Sequence, residues 1–441
     1  MATIGGDVTE EITSEVDLFG SIMQQNVIEN EFNREYAPLA TIQQGSPIEF
    51  TVNGENNLYL DLENSHFHVL AKITKADGTN IDQNTAAPVN LTLHSMFREI
   101  GMELNGRNVG DTSQLYPYRS NWETLLNYSK ETQETRLLCE GWTKDTSGQI
   151  GVTPLGGNNA GLNARAVDFA RSAVVELIGR PHLDVWHQER LIPPNVDLHM
   201  RLMPSTDNFV IKSAAPDQNA VQENFKMVIQ SVTLIIHTKQ LTSTAHEALM
   251  ELLLHQNMRL HYSRVQMKHL SIPANQTSIN FDNVFTGALP DLVIVGFVRD
   301  VDLAVGYQRN PFNFQNFGVN RIQLKRNGTS VPRDGYTPNF ANGGYKRAYM
   351  QFLQELECDT GDKCVNLTPS EWANGYTLYA FKITDGPIGP GTYGPRSKSA
   401  TGSARLEISF AAGVNENIKV IVYYQMLGRI EFDQHKAVIV L

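Results

Sequence analysis

A chain of 441 residues is longer than one ordinary hydrophobic core supports and fits two or three domains. With 41% hydrophobic and 19% charged residues it is globular rather than disordered, and no run of about 18 apolar residues supplies a membrane-spanning helix. The net charge of −11 argues against a protein that grips nucleic acid through its phosphates, which takes a concentrated basic surface.

The first 36 residues deepen that charge. Asp7, Glu10, Glu11, Glu15, Asp17, Glu29, Glu31 and Glu35 stand against Arg34 alone. Residues 1–45 read as an arm, polar but punctuated by Val16, Leu18 and Phe19, then Ile22 and Met23, a pattern that suits docking on a neighbour. No apolar signal core lies between Met1 and Gly20, so secretion is not expected. Cys139, Cys358 and Cys364 are too few, and odd in number, for a disulfide framework. The Asn-X-Ser/Thr triplets starting at Asn90, Asn127, Asn275, Asn327 and Asn366 then read as polar turns.

Strand signals begin at Pro47. Ile48, Phe50 and Val52 alternate with Glu49 and Thr51, and Phe67, Val69, Ala71 and Ile73 alternate with His68, Leu70 and Lys72. Val196, Leu198, Met200 and Leu202 repeat the pattern against Asp197, His199 and Arg201. A period of two with one apolar face marks a half-buried antiparallel strand. Phe225–Leu241 is apolar on both sides in places and reads as a strand covered on both faces. Thr244-Ala245-His246-Glu247 then has the form of a capping box, with Leu249, Leu252 and Leu253 at helical spacing. This predicts a linker helix over 242–257, between a first domain at 46–241 and a second at 258–441. Strands resume at Met258–Met267 and Leu292–Val298. A helix over 345–357 places Tyr345, Tyr349, Phe352, Leu353 and Leu356 on one face. Late strands are expected at Tyr376–Ile383, at Leu406, Ile408 and Phe410, and at Val420–Met426, before the apolar end Ala437–Leu441.

One pattern occurs twice. Phe97-Arg98-Glu99-Ile100-Gly101-Met102-Glu103-Leu104 runs into Asn105-Gly106, and Phe317-Gly318-Val319-Asn320-Arg321-Ile322-Gln323-Leu324 runs through Lys325-Arg326 into Asn327-Gly328, 222 residues later. Asn-Gly supplies the positive φ angles of a tight hairpin. Helical stretches open at Trp122 and Tyr345, 17 and 18 residues after the turn asparagines. The repeat divides the chain near its middle into two similar β-rich domains. Long Gly/Asn/Pro-rich interruptions at 142–168 and 384–404 fall one per domain, and loops of that length tend to face outward. Many short strands, few helices and two halves argue for two β-sandwiches.

Chemical signatures are weak. Asp359-Thr360-Gly361 matches the aspartic-protease triplet, with Asp145-Thr146-Ser147 as a loose partner, but its flanks are polar, and a helix C-terminal turn ending at Gly361 explains it better. His182, Asp184 and His187 offer three metal-ligand types, yet on a strand His187 falls on the opposite face from the other two. His66 and His68 share a face, and a pair is not a site. Neither a phosphate-binding Gly-x-x-x-x-Gly-Lys-Ser/Thr loop nor a Gly-x-Ser-x-Gly elbow occurs. Cys139 reads as a buried, inert thiol among Leu137, Leu138 and Trp142. Tyr116, Tyr118, Trp122 and Tyr128 fit core packing better than a sugar-binding stack. No catalytic group and no cofactor is implied, which favours a structural or binding role; a glycan-binding β-sandwich fits the same features.

Several separate blocks carry a family resemblance. They are Tyr36-Ala37-Pro38-Leu39, Gly45-Ser46-Pro47-Ile48-Glu49-Phe50, Leu58-Tyr59-Leu60-Asp61-Leu62, Asn90-Leu91-Thr92-Leu93-His94-Ser95-Met96-Phe97, Glu103-Leu104-Asn105-Gly106, Tyr116-Pro117-Tyr118-Arg119 and Leu125-Leu126-Asn127-Tyr128. In this order and spacing the chain resembles the hexon-like major capsid proteins of Maverick/Polinton elements and adintoviruses, whose relatives occur in virophages and adenoviruses. The match is densest over 36–140; the second half fits by length and architecture.

The resemblance implies an all-β fold, two eight-stranded jelly-roll β-sandwiches in tandem with a few short helices in loops. It implies a homotrimeric, pseudo-hexagonal capsomer that tiles an icosahedral shell around double-stranded DNA. The protein is then located in the virion after assembly inside a host cell, in nucleus or cytoplasm. Expected partners are the chain itself, neighbouring capsomers and penton or minor capsid proteins, with no sequence-specific nucleic-acid contact. The family's outer loops would fall near 117–138, 142–168, 343–357 and 384–404, where contact with a host surface is expected. The candidate inter-subunit residues are Leu18, Phe19, Ile22 and Met23 of the arm and Val438, Ile439, Val440 and Leu441 of the tail, suited to strand addition or groove docking. A minor capsid or attachment protein is the alternative within this class.

Overall fold

The computed structural model describes residues 27–83, 85–152, 157–214, 225–303, 306–360, 365–384, 386, 388–389 and 401–440. The first half holds Ile28–Tyr36 (β1), Ile48–Val52 (β2), Leu58–Lys75 (β3), Ala86–Pro88 (β4), Phe97–Leu104 (β5), Arg107–Asn108 (β6), Val175–Gly179 (β7), Leu198–Pro204 (β8), Ile211–Ser213 (β9) and Phe225–Leu241 (β10). The second holds Met258–Ile272 (β11), Ser278–Ala288 (β12), Leu292–Arg299 (β13), Val319–Arg326 (β14), Thr329–Tyr336 (β15), Leu378–Lys382 (β16), Thr401–Phe410 (β17), Ile418–Phe432 (β18) and Val438–Val440 (β19).

The pairing orders are β1-β10-β3-β7 and β2-β8-β5-β6 in the first half, and β11-β18-β13-β16 and β12-β17-β14-β15 in the second. The ribbon β4–β9 and the terminal β19 lie outside this scheme. The eight remaining strands of each half then repeat one plan: first, eighth, third and sixth in one sheet, second, seventh, fourth and fifth in the other. Two four-stranded antiparallel sheets closed in this order form a jelly roll, and the chain contains two.

The sequence patterns build these sheets directly. In β2 the buried residues are Ile48, Phe50 and Val52, and in β17 they include Leu406, Ile408 and Phe410, as the alternation requires. Asn105 and Gly106 have φ of 46° and 73°, and Asn327 and Gly328 have 48° and 84°. Both turns therefore occupy the left-handed region twice in succession, the requirement that selects Asn-Gly. They join β5 to β6 and β14 to β15, the fourth and fifth strands of each plan.

Several expectations are corrected. Residues 28–36, expected within the arm, form β1, which pairs with β10 from Ile28 opposite Leu241 to Tyr36 opposite Leu234. β10 is buried on one face and half-buried on the other; strands covered on both faces include β13, Leu-Val-Ile-Val-Gly-Phe-Val-Arg, and its neighbour β16, Leu-Tyr-Ala-Phe-Lys. The helix after β10 spans Ser243–His255, with Thr242 at its cap and no side-chain cap bond, so the Thr244–Glu247 box does not form. The helix expected to open at Trp122 starts at Tyr116, with Pro117 in its first turn, where a missing N–H costs nothing. The second one spans Lys346–Glu355 with Tyr345 as its cap; the reversal that follows uses Glu357 at φ 57°, and Gly361 lies outside the described residues.

Segment 142–168 does not behave as an outward loop. It contains the helix Ala160–Asp168, capped by Asn159, and buries Trp142, Asp145, Ile150 and Arg165. Segment 117–138 is likewise buried over most of the helix Tyr116–Asn127. Residues 401–404, expected at the end of a loop, begin β17.

Candidate functional site

The two sandwiches do not merely touch; each completes the core of the other. Tyr118, Trp122, Leu125, Trp142 and Ile150 of the first half belong to the core cluster of the second sandwich, and Leu260, Tyr262, Ile430, Phe432 and Val438 of the second half belong to that of the first. Trp122 is fully buried, its ring centroid 5.3 Å from that of Phe314. Its indole N–H finds no acceptor among the described residues, so it acts here as apolar volume. Gly296 in β13 makes room for it: a Cβ there would lie 2.7 Å from Trp122 Cζ2 and 2.8 Å from Leu378 Cδ2.

Polar bonds close the same seam. Lys144 donates to the Asn366 carbonyl and to Glu371 Oε1, both at 2.7 Å. Tyr376 Oη donates to the Asp145 carbonyl at 2.7 Å, and Asn310 Nδ2 to the Ile150 carbonyl at 3.0 Å. Asn105 Nδ2 reaches the Lys436 carbonyl at 2.8 Å, tying the first Asn-Gly turn to the tail.

Beneath the helix Tyr116–Asn127 lies a buried charged network. Arg119 Nε donates to Glu123 Oε1 at 2.9 Å, one helical turn on, and its other guanidinium nitrogen meets Asp184. Asp184 Oδ1 also accepts the Val265 backbone N–H of β11 at 3.1 Å, so the network spans both halves. Glu123 Oε2 faces His182 Nδ1 at 2.7 Å. His94 faces Glu140 Oε2 through Nε2 at 3.1 Å and the Tyr116 hydroxyl through Nδ1 at 2.8 Å. Burial pushes the Asp184 carboxyl up to about 6 despite the adjacent guanidinium, and burial, followed by the neighbouring His94, holds the His182 imidazole well below its ordinary range.

The predicted ligand set is rearranged accordingly. His182, Asp184 and His187 do not converge: Asp184 serves Arg119, and His187 Nδ1 donates to the Leu183 carbonyl at 2.9 Å. His182 meets His94 and Glu140 instead, with ligand-capable atoms of the three within 4.8 Å of one another. His94, Glu140, Glu123 and Arg119 were not readable as a group. The available signal was Arg119 and Glu123 four apart on a helix that also carries Tyr116, Tyr118, Trp122, Leu125 and Leu126. His68 Nε2 contacts Glu176 at 2.9 Å. Asp145 is ion-paired with Arg165 at 2.7 Å while Asp359 is exposed, so the two aspartates are not held alike as a protease dyad requires. Cys139 is exposed, not buried, because the short helix Arg136–Glu140 turns Leu137 and Glu140 inward and Leu138 and Cys139 outward.

A cavity of about 470 Å3 opens between this helix and the second sandwich, lined by Trp122, Leu126, Leu292, Ile294, Tyr423 and Gln425 among others. Its lining carboxylates are committed, Glu123 to Arg119 and His182, Glu357 to Lys382. Of the tail candidates, Val438 is buried in this chain's own core through β19–β18 pairing, Ile439 is exposed and Val440 half-buried. Leu18, Phe19, Ile22, Met23 and Leu441 lie outside the described residues.

No protein-family model matches the chain. An uncharacterized protein of Caenorhabditis elegans is 22% identical over 357 residues, covering 78% of this chain and 81% of the nematode one. Among solved structures, the cryo-EM structure of the Sputnik virophage superposes with a TM-score of 0.61 at 10% identity, over 100% of this chain and 94% of that one. The Faustovirus major capsid protein gives 0.58 at 9% identity, over 94% and 92%. The mavirus major capsid protein gives 0.55 at 9% identity, over 100% and 95%. The chain has their fold, a double jelly roll. At these identities the likeness is one of architecture, and it extends over both halves.

Proposed function

We propose that this protein is a major capsid protein whose homotrimers form pseudo-hexagonal capsomers of an icosahedral shell around double-stranded DNA. The observation that carries the reading is the duplicated strand plan in one chain, matched along nearly its whole length to viral major capsid proteins. Two equivalent sandwiches per chain let a threefold particle present six similar edges and so fill a hexagonal lattice. Exposed apolar side chains at Leu252 and Leu254 of the helix Ser243–His255, and at Ile439 of β19, supply apolar surface for neighbouring copies. An obligate trimer would bury more than about 2,000 Å2 per interface. Residues 1–26 and the tail at Ile439–Leu441 are proposed to clamp neighbours. The net charge of −11 leaves genome condensation to a separate basic protein. The blocks over 36–140 favour the Maverick/Polinton and adintovirus branch of this architecture, with penton and minor capsid proteins as further partners and the virion as its location.

Light scattering on the purified chain tests the reading. The expected mass is three times 49.2 kDa, or that of closed shells, and negative-stain images should show hexagonal particles. A stable monomer at micromolar concentration would overturn it.

A further inference from the structure

His94, Glu140 and His182 come from three separate segments and are all buried: the helix Thr92–Ser95, the end of the helix Arg136–Glu140, and the stretch after β7. The His94 and His182 rings lie 4.6 Å apart, centroid to centroid. Three features of this cluster go beyond packing.

The first is charge. Glu123, Glu140 and Asp184 are buried carboxylates, and Arg119 is the buried guanidinium among them. Three buried carboxylates thus face one buried guanidinium in a low-dielectric interior, where an unpaired ion is costly. Arg136, which is exposed, and Arg180, partly buried, are the further cations whose fields reach it. The second is outer support. Glu123 accepts His182 Nδ1–H, which fixes the tautomer with its lone pair on Nε2, and the Tyr116 hydroxyl accepts the His182 backbone N–H at 3.0 Å while holding His94 Nδ1. A carboxylate or hydroxyl on the far nitrogen is how metal-ligating histidines are oriented. The third is space. A Cβ at Gly179 would lie 2.6 Å from Glu140 Cγ and 2.8 Å from its Cδ, so the backbone of β7 is cut back where the carboxylate sits.

We propose that His94, Glu140 and His182 bind one Zn2+ ion per chain, with water in the fourth position. Tetrahedral zinc with ligands at about 2.0–2.1 Å needs ligand atoms about 3.3 Å apart. His94 Nε2 and Glu140 Oε2 already stand at 3.1 Å, and the third ligand closes from within 4.8 Å. In the bound state His94 offers its Nε2 lone pair to the ion and carries its proton on Nδ1, facing the Tyr116 oxygen. Two imidazoles and one carboxylate are a borderline-soft set that favours zinc over magnesium or calcium. The ion would neutralise the buried charge next to the seam.

The test uses the full chain, stripped with a chelator and titrated with Co2+. We expect one equivalent bound, with the visible absorption of a tetrahedral site, displacement by Zn2+, and a raised thermal midpoint. Replacing Cys139, Cys358 and Cys364 with Ser should leave the spectrum unchanged. Tyr116→Phe, which removes the hydroxyl that holds both His94 Nδ1 and the His182 backbone N–H, should weaken binding by about 10–100-fold. His94→Gln should abolish it, with far-UV circular dichroism reporting the fold. Failure of the wild-type chain to retain one cobalt, loss of the spectrum in the cysteine variant, or undiminished binding in both Tyr116→Phe and His94→Gln would overturn the proposal.

Discussion

The fit between Trp122 and Gly296 gives the sharpest quantitative expectation. In Gly296→Ala the new methyl would sit 2.7 Å from Trp122 Cζ2, 2.8 Å from Leu378 Cδ2 and 3.1 Å from Trp122 Cη2. Both neighbours are fully buried and Trp122 is backed by Phe314 and Tyr423, so relief of the clash has to draw on the cavity that Trp122 lines. Overpacking of this kind costs about 1–3 kcal/mol. Trp122→Phe removes the outer ring carbons that the methyl strikes and forfeits no hydrogen bond. Alone it should cost about 1–3 kcal/mol through lost contacts and a partial cavity. The double variant should then be less destabilised than the sum of the two, by a coupling of about 1–2 kcal/mol. Unfolding entropy of about 2.1 cal/mol/K per residue converts each kcal/mol into only about 1 °C for a cooperative chain of this length. Urea denaturation is therefore the better assay, with the four proteins compared at one midpoint urea concentration. Strict additivity, or a Gly296→Ala cost below about 0.5 kcal/mol, would refute the account of the seam.

Lys268 should be a site of easy stabilisation. Its ammonium lies 3.8 Å from the Phe285 ring centroid, donates to the Val284 carbonyl, and is pushed down by burial to about 8. The folded state thus binds this proton less tightly than the unfolded chain, so the penalty is fully present below pH 8 and fades as pH rises from about 8 to 10.5. After discounting for its partial exposure, Lys268→Met should gain about 1 kcal/mol at pH 7, and thermal melts should show that gain shrinking by pH 10. Truncation should distinguish arm from strand. Removal of residues 1–26 should leave the melting curve unchanged while impairing shell assembly, whereas removal of 1–36 deletes β1, bares the edge of β10 and should lower stability and promote aggregation. Equal melting curves for the two truncations would contradict the role of β1.

The sheets were legible where the signal is local. Ile48–Val52, Phe67–Ile73 and Leu406–Phe410 alternate because one face meets the core, and Asn105-Gly106 and Asn327-Gly328 announce hairpins through backbone sterics alone. Arrangements set by distant partners were not legible. β1 looks polar because it is an edge strand with half its side chains in water, and only its pairing with β10 more than 190 residues away makes it part of a sandwich. Asn/Gly-rich spacing makes 142–168 look like a surface loop, whereas Asn159 is a helix cap and the Ile150 carbonyl accepts a bond from Asn310 of the second half. His94, Glu140 and His182 are brought together by three chain segments that share no periodic pattern. Cys139 faces outward because a three-residue turn repeats its faces differently from the helix that its apolar neighbours suggest.

The exchange of side chains across the seam also makes the two halves unlike. The helix Tyr116–Asn127 fills the downstream sandwich, whereas its counterpart Lys346–Glu355 packs against Trp372 within its own half, and the tail returns Val438 to the upstream one. Despite a common blueprint the halves are no longer interchangeable parts. A tandem of two first halves would strand Trp122 in water, and a tandem of two second halves would leave a hole over Gly296. Duplication of one module, once followed by this division of labour, cannot be undone by recombination without rebuilding both cores.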